Sequence, residues 1–433
     1  MNIIQITPGA GNMYCGNCFR DNALVAALRK DGHEVTMVPL YLPLMLDEEI
    51  QTDGTPIFYN GVNVYLEQKS PLYRNAPQWV HRLVGSERLL HLASSRMGKT
   101  NAADVGEITL SMLRGEDGHQ ARELAQLIDW LKTQPRPDVI CLSNCMLLGL
   151  ARQLKEALNA PVVCMLQNEA PYIDNMAEEL RGPVWELMAE RAAEVECFIA
   201  PSEFYAAQMR GKLKLTDDRV RVIHNGINHT GYTAEPIAPN PPVIGFFARL
   251  CKDKGLDTLI DAFIKLKTGN SIPQLRLKIG GGCRPMDEPF VERMRARLHA
   301  KALLGDVEFH PNLSREAKQD FLKSLSVLSV PAQFGESFGF YIIEAMAAGV
   351  PVVQPRCASF PELVEATGGG VCYKHDGPDS LANAIEKMLH NPTEAKALGL
   401  KAREAVREHF SIERMADEMA ALFSTLTPNP TKA

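Results

Sequence analysis

Two carboxylates eight residues apart, Glu336 and Glu344, lie in the stretch Pro331–Gly349, PAQFGESFGFYIIEAMAAG. A carboxylate accepts two hydroxyl hydrogen bonds well, so such a pair suits the hydroxyls of a sugar and a ribose. Gly335 and Gly339 bracket Glu336-Ser337-Phe338, and a helix is predicted over Phe340–Ala348, stopped by Gly349-Val350-Pro351. A strand feeding a glycine loop that opens a helix presents backbone N–H groups and a positive dipole end, and phosphate is the usual guest. The plainer alternatives are a helix cap at Glu336 and a solvated face residue at Glu344. The second weakens because Glu344 falls among Ile342, Ile343, Ala345, Met346 and Ala347. Arg249, Lys252 and Lys254 form a second group, after the strand-like run Val243–Phe247 and before Gly255 and a helix expected from Asp257 to Lys267. Cations between a strand and a helix N-terminus suit a diphosphate, since dipole and point charges add; a merely solvated basic loop is the alternative.

These side chains need a scaffold, and the chain alternates strand and helix signals. Strands are expected at residues 2–6, 35–40, 138–142, 161–166, 198–201 and 220–223 in the first half. In the second they are expected at residues 243–247, 275–279, 307–310, 327–330, 350–354 and 370–373. Helical periodicity separates most of them, which predicts parallel sheets in an α/β fold. Ligands of open α/β sheets bind at the carboxyl edge, where Thr7–Gly16 and the two charged groups fall. Residues 57–69 read as a hairpin turning at Asn60-Gly61. Residues 70–118 are polar and helix-prone and carry Trp79, His81, His91, Arg96, Lys99 and Arg114. Thr233–Pro242, TAEPIAPNPP, reads as a semi-rigid linker.

The 433 residues are 45% hydrophobic, ample for two cores and long for one. A net charge of −6 gives no nucleic-acid footprint. No apolar run reaches spanning length and no signal peptide is read before the first strand, so a cytoplasmic protein is expected, with peripheral membrane contact left open. Most of the ten cysteines sit in apolar runs and are expected to be reduced and buried. Cys15 and Cys18 form a lone C-G-N-C without a second pair at metal spacing, so packing is favoured over a metal or disulfide role. Asp-x-Asp does not occur.

The run FGESFGFYIIEAMAAGVPVV, with the following Pro361-Glu362-Leu363-Val364, resembles the signature of the family 4 retaining nucleotide-sugar glycosyltransferases, a GT-B fold family. Ala248–Leu256, ARLCKDKGL, is similar to that family's G-R-L-x-x-x-K-G. Residues 7–41 resemble its first unit and that of glycogen and starch synthases, although Pro8-Gly9-Ala10-Gly11-Asn12 replaces the synthases' lysine-glycine-glycine. The resemblance implies two doubly wound, Rossmann-like domains facing an interdomain cleft. The acceptor side would span residues 1–232 with a crossover helix at 412–433, the linker residues 233–242, and the donor side residues 243–411. It implies transfer of a hexosyl group, with retention, from a nucleotide-diphospho-sugar, UDP-sugar favoured, to a glycan, lipid-carrier or small-molecule hydroxyl. No metal and no cofactor beyond this co-substrate are expected.

The resemblance assigns Arg249 and Lys254 to the diphosphate, Glu336 to sugar hydroxyls and Glu344 to the ribose. Ser337, Phe338 and Gly339 would offer the loop, Gly280 the turn beside the base, and Gly16 an amide near phosphate or acceptor. His310 stands as base-pocket wall or plain strand end. Gln167 and Asn168 occupy the place of a family histidine that lines the sugar pocket; Gln167 can donate and accept a hydrogen bond but cannot act as a base. A GT-B nucleotide-sugar epimerase and a catalytically silent sugar-nucleotide-binding protein remain as alternatives.

Overall fold

The computed structural model describes the chain apart from residues 10–15, 45, 47, 53, 60, 71–72, 74–75, 77–101, 233–238 and 428–433. The chain divides into two compact units. One comprises Met1–Pro201, Tyr205–Ile223 and Met415–Ala433; the other comprises Ser202–Phe204 and His224–Arg414. Among the described residues no helix is long and apolar enough to cross a membrane.

The first unit is built on a six-stranded sheet of β1 (Asn2–Thr7), β2 (Glu34–Pro39), β3 (Val139–Leu142), β4 (Val162–Met165), β5 (Cys197–Ala200) and β6 (Val220–Val222). The order is β2-β1-β3-β4-β5-β6 and every pairing is parallel. β3, β4 and β5 are buried throughout, as continuous apolar runs covered on both faces require. The helices are α1 (Gly16–Lys30), α2 (Gly61–Lys69), α3 (Ala102–Arg114), α4 (Ala121–Leu131), α5 (Ala151–Leu158), α6 (Glu169–Asp174), α7 (Glu178–Arg191) and α8 (Glu203–Leu213). The predicted hairpin over residues 57–69 is replaced by α2. Val64 and Glu67, one helical step apart, both face inward, so the inward spacing is three rather than two. Asn60, Cys15, Gly11, Trp79, His81, His91, Arg96, Lys99 and most of the expected linker lie outside the described residues.

The second unit carries β7 (Val243–Phe247), β8 (Arg276–Gly281), β9 (Val307–Pro311), β10 (Val327–Leu328), β11 (Val352–Pro355) and β12 (Gly370–Tyr373). Its order is β12-β11-β10-β7-β8-β9, again all parallel. The winding starts at β7, runs outward to β9, then returns to β10 on the other side of β7. The switch point therefore lies between β7 and β10, where doubly wound sheets bind ligands. Its helices are α9 (Leu256–Thr268), α10 (Glu288–Ala300), α11 (Arg315–Lys323), α12 (Phe340–Ala347), α13 (Phe360–Thr367), α14 (Pro378–His390) and α15 (Pro392–His409); α16 (Ile412–Leu426) closes the described chain. Residues 341–347 of α12 are all buried, as expected of a helix apolar on every side.

Candidate functional site

The loops that leave β7 and β10 flank the switch point of the second sheet, and they bring Lys254 and Glu336 together. Lys254 Nζ donates to Glu336 Oε1 across 82 residues of sequence. Gly255 makes this possible. It sits at φ +74°, and a Cβ there would lie 1.9 Å from the Pro331 carbonyl oxygen, so only glycine lets the two loops touch. A backbone bond from Gln333 N to Asp253 O, 2.9 Å, ties the same loops. Glu336 is only 9% exposed and also accepts from the Tyr341 hydroxyl at 3.4 Å. Burial, then the nearby Glu336 charge, pushes the Tyr341 phenol well above its ordinary range, so it stays a donor.

The loop between Glu336 and α12 is fixed from below. Ser359 Oγ lies 2.9 Å from the Glu336 carbonyl oxygen and 2.7 Å from that of Phe338. Ser202 Oγ donates to the Ser337 carbonyl at 2.6 Å. Phe338 packs among Phe340, Phe410 and the ring of His224. Gly339, at φ +100°, turns the chain into α12. The Lys254 ammonium is thus bound to a residue four positions ahead of α12, an arrangement that can hold a phosphate between a cation and a helix amino end.

Arg249, on the β7 loop, places its Nε and Nη2 3.0 and 2.8 Å from the two oxygens of Asp287. Burial pushes the Asp287 carboxyl up, but its bonds from Arg249 and from the Arg284 N–H outweigh this and hold it below the usual range. Glu344, one helical face further along α12, accepts from Lys318 Nζ of α11 at 2.7 Å. Each of the two acids and each of the two predicted phosphate cations therefore meets a charge of opposite sign within the protein.

Gly280 is the penultimate residue of β8, and a Cβ there would press on Phe247 and Phe321 at 2.9 and 3.0 Å. His310 sits on the next strand with its ring 5.6 Å from that of Phe321 and its Nε2 3.0 Å from Glu308. Asn312 clamps the turn beyond Gly281, bonding the Cys283 N–H and carbonyl at 2.9 and 3.1 Å.

The remaining predicted positions belong to the first unit. Gly16 opens α1, directly after residues 10–15, which lie outside the described residues. Gln167 and Asn168 leave β4, and the Gln167 N–H donates to Glu169 at 2.7 Å. Glu169 is buried and also accepts from Cys145 N at 3.1 Å and the Tyr205 hydroxyl at 2.8 Å, so it joins the ends of β3 and β4 to α8. Cys18 is buried, and among the described residues no three His, Cys, Asp or Glu side chains gather as metal ligands would.

Sequence reasoning missed Lys318, Asp287, Ser359 and Tyr341. Lys318 and Glu344 are 26 residues apart on different helices, and no local pattern links them. Asp287 does carry a signal, since it precedes Glu288-Pro289 as helix-starting acids do.

The family described as Glycosyl transferases group 1 matches residues 233–405, and the one described as Glycosyltransferase Family 4 matches residues 91–230. Alpha-maltose-1-phosphate synthase of Mycolicibacterium smegmatis is 26% identical over 307 residues, covering 65% of this chain and 77% of its own. D-inositol 3-phosphate glycosyltransferase of Corynebacterium jeikeium is 27% identical over 186 residues, 43% of this chain and 44% of that one. Among solved structures, sucrose-phosphate synthase from Thermosynechococcus elongatus superposes with a TM-score of 0.70 at 20% identity, over 98% of both chains. Anabaena HepE in complex with UDP-glucose gives 0.65 at 18% identity, over 98% of this chain and all of that one. These likenesses in structure show the GT-B fold. With residues 91–230 and 233–405 matched by glycosyl transferase families and the whole chain by GT-B structures, the chain belongs to the family 4, group 1 glycosyl transferases.

Proposed function

We propose that the protein moves a hexosyl group from a nucleotide-diphospho-sugar to an acceptor hydroxyl with retention at the anomeric carbon. The observation that carries this reading is the meeting of Lys254 and Glu336 at the switch point, beside the amino end of α12. On donor entry the diphosphate takes Lys254, and the released Glu336 carboxylate turns to the sugar hydroxyls, so one arrival readies both groups. Arg249, Lys254 and the N–H groups of Phe338 and Gly339 then offset the charge that grows on the leaving diphosphate. The bond from C1 to the diphosphate oxygen breaks while the bond from C1 to the acceptor oxygen forms on the same face. The acceptor proton passes to an oxygen of the departing phosphate, so no protein base is required, consistent with glutamine at position 167. Two side-chain cations and a helix end supply the positive charge, which makes the reaction metal-independent in this reading. Glu344 holds the ribose, Gly280 and His310 border the base, Ser337 belongs to the phosphate loop, and Gly16, Gln167 and Asn168 serve sugar or acceptor.

A UDP-sugar is favoured, in keeping with the HepE structures solved with UDP and UDP-glucose. The relatives' names point to different acceptors, so the acceptor class remains glycan, lipid carrier or small molecule, with a cytoplasmic setting. A thermal-shift panel of UDP-, ADP- and GDP-sugars identifies the donor, because the tightest ligand raises Tm most. Turnover of that donor is then measured with and without acceptors. Binding without turnover would overturn the enzymatic reading in favour of a sugar-nucleotide-binding protein, and conversion of the donor without an acceptor would favour an epimerase.

A further inference from the structure

Helix α11 has an inward face of Lys318, Phe321 and Leu322, at the i, i+3 and i+4 positions of an amphipathic helix. The first of these should be apolar, yet it is a lysine whose side chain is only 11% exposed. Its Nζ lies 2.7 Å from Glu344 Oε1, and the Glu344 side chain is itself 12% exposed. Net stability does not explain such a pair, since a buried ion pair is on average no better than apolar residues of similar volume. Orientation does. The helix that carries Lys318 is pinned on three sides: Ser314 caps it by accepting from Ala317 N at 3.3 Å, Gln319 donates to the Thr230 carbonyl at 2.7 Å, and Phe321 packs against Phe247 and His310 with ring centroids 5.6 Å away. The ammonium is thus a fixed point that sets the rotation of the carboxylate.

We infer that Lys318 is a positioning residue for the nucleotide ribose: it holds one oxygen of Glu344 so that the other is presented to the ribose hydroxyls. This rests on the reading of Glu344 as the ribose acid. With the ammonium in place the carboxylate keeps its charge and one orientation, and a charged acceptor bonds a hydroxyl more strongly than a neutral one. Without it the carboxylate is a buried charge lacking its partner and turns toward other donors or water.

The test is a calorimetric comparison of UDP, ADP and GDP with their 2′-deoxy and 3′-deoxy counterparts on the full chain. For the nucleotide that binds best, the natural protein should prefer the ribose form about tenfold. Glu344→Gln should reduce that ratio to near one. Lys318→Met should reduce it to below about threefold, and Lys318→Arg should restore most of it. A ratio between two ligands of one variant is unmoved by a general loss of stability, so a merely structural lysine would leave it at the natural value. If Lys318→Met keeps the full preference while Glu344→Gln loses it, the inference falls and the ribose reading stands. If Glu344→Gln also keeps it, or if no nucleotide shows a ribose preference, the ribose reading fails and the inference with it. Should Lys318→Met not fold, Lys318→Gln, which keeps a donor but not the charge, takes its place in the same comparison.

Discussion

The two sheets each reverse their winding once, between β1 and β3 in the first unit and between β7 and β10 in the second. A charged pair sits beside each reversal, and the two pairs differ: Lys254 and Glu336 join the loops after β7 and β10, whereas Arg20 and Asp21 are neighbours within α1 and only the bond from Arg20 to Ser143 crosses to the end of β3. In the first unit Arg20 donates to Asp21 at 2.5 Å and to the Ser143 carbonyl at 2.9 Å, with both charged side chains fully buried. Arg20 Nη1 and Asp21 Oδ2 are buried without partners among the described residues. In the second unit the Lys254 side chain is 25% exposed and that of Glu336 10%, so this pair keeps some access to solvent. The same place in the same topology is sealed by charge in one unit and left reachable in the other. A fully buried pair commits its charges to each other, whereas a pair whose cation is a quarter exposed can trade one partner for a ligand.

That contrast is broken most directly in the second unit. Lys254→Ala and Glu336→Ala should each lower donor turnover by about a thousandfold or more while the unfolding midpoint stays near that of the natural protein. Full turnover in either variant would remove the site assignment. The reverse pattern is expected in the first unit. Asp21→Ala, which strands the buried guanidinium, should lower the free energy of unfolding by about 3–5 kcal/mol in a urea titration, and replacing both partners by apolar residues should recover much of that. A loss under 1 kcal/mol would mean that the two crevices do not differ as described.

Gly255→Ala comes next, since it adds a left-handed alanine and a methyl against the Pro331 carbonyl. It should cost about 2 kcal/mol or more and reduce turnover as well, because both loops must move. The smallest effect concerns Glu362, whose carboxylate accepts from the N–H of Glu203 at 3.0 Å and lies 2.8 Å from His224 Nε2. Burial pushes this carboxyl up, but the His224 ring and the two N–H bonds outweigh it and hold it below its ordinary value of 4.5. A depressed folded value means stability present above pH 4.5 and lost as pH falls through the lower folded value. The unfolding midpoint of the natural protein should therefore fall more steeply below pH 4.5 than that of Glu362→Gln. Parallel acid limbs would show that the His224 contact contributes nothing.

Much of the fold was legible because parallel strands buried on both faces read as short apolar runs, and these mark β3, β4, β5, β7 and β11 in the sequence. The helix α12 was legible for a different reason: glycines at both ends frame an apolar segment with a single acid. α7 was hidden by Gly182-Pro183 in its interior, which local propensity reads as a break. α10 goes unpredicted although Val291, Met294 and Leu298 recur at helical spacing. The hairpin expected at residues 57–69 failed because valines at 62 and 64 favour a strand locally, while the packing of Val64 and Glu67 selects a helix. Within the candidate site, the charged residues could be named from type and spacing, but their partners could not. Lys318, Asp287 and Ser359 approach from elements whose distance along the chain carries no signal of contact.

The contact of Gly255 with Pro331 has a mechanical side. Because a hydrogen atom is all that separates the cation-bearing loop from the acid-bearing one, neither can be displaced without pushing the other. The anchoring of Ser337 and Phe338 by neighbouring hydroxyls passes that stiffness on to the start of α12. On the reading proposed above, a ligand at this site binds loops that folding already holds against each other, which lowers the ordering cost of binding.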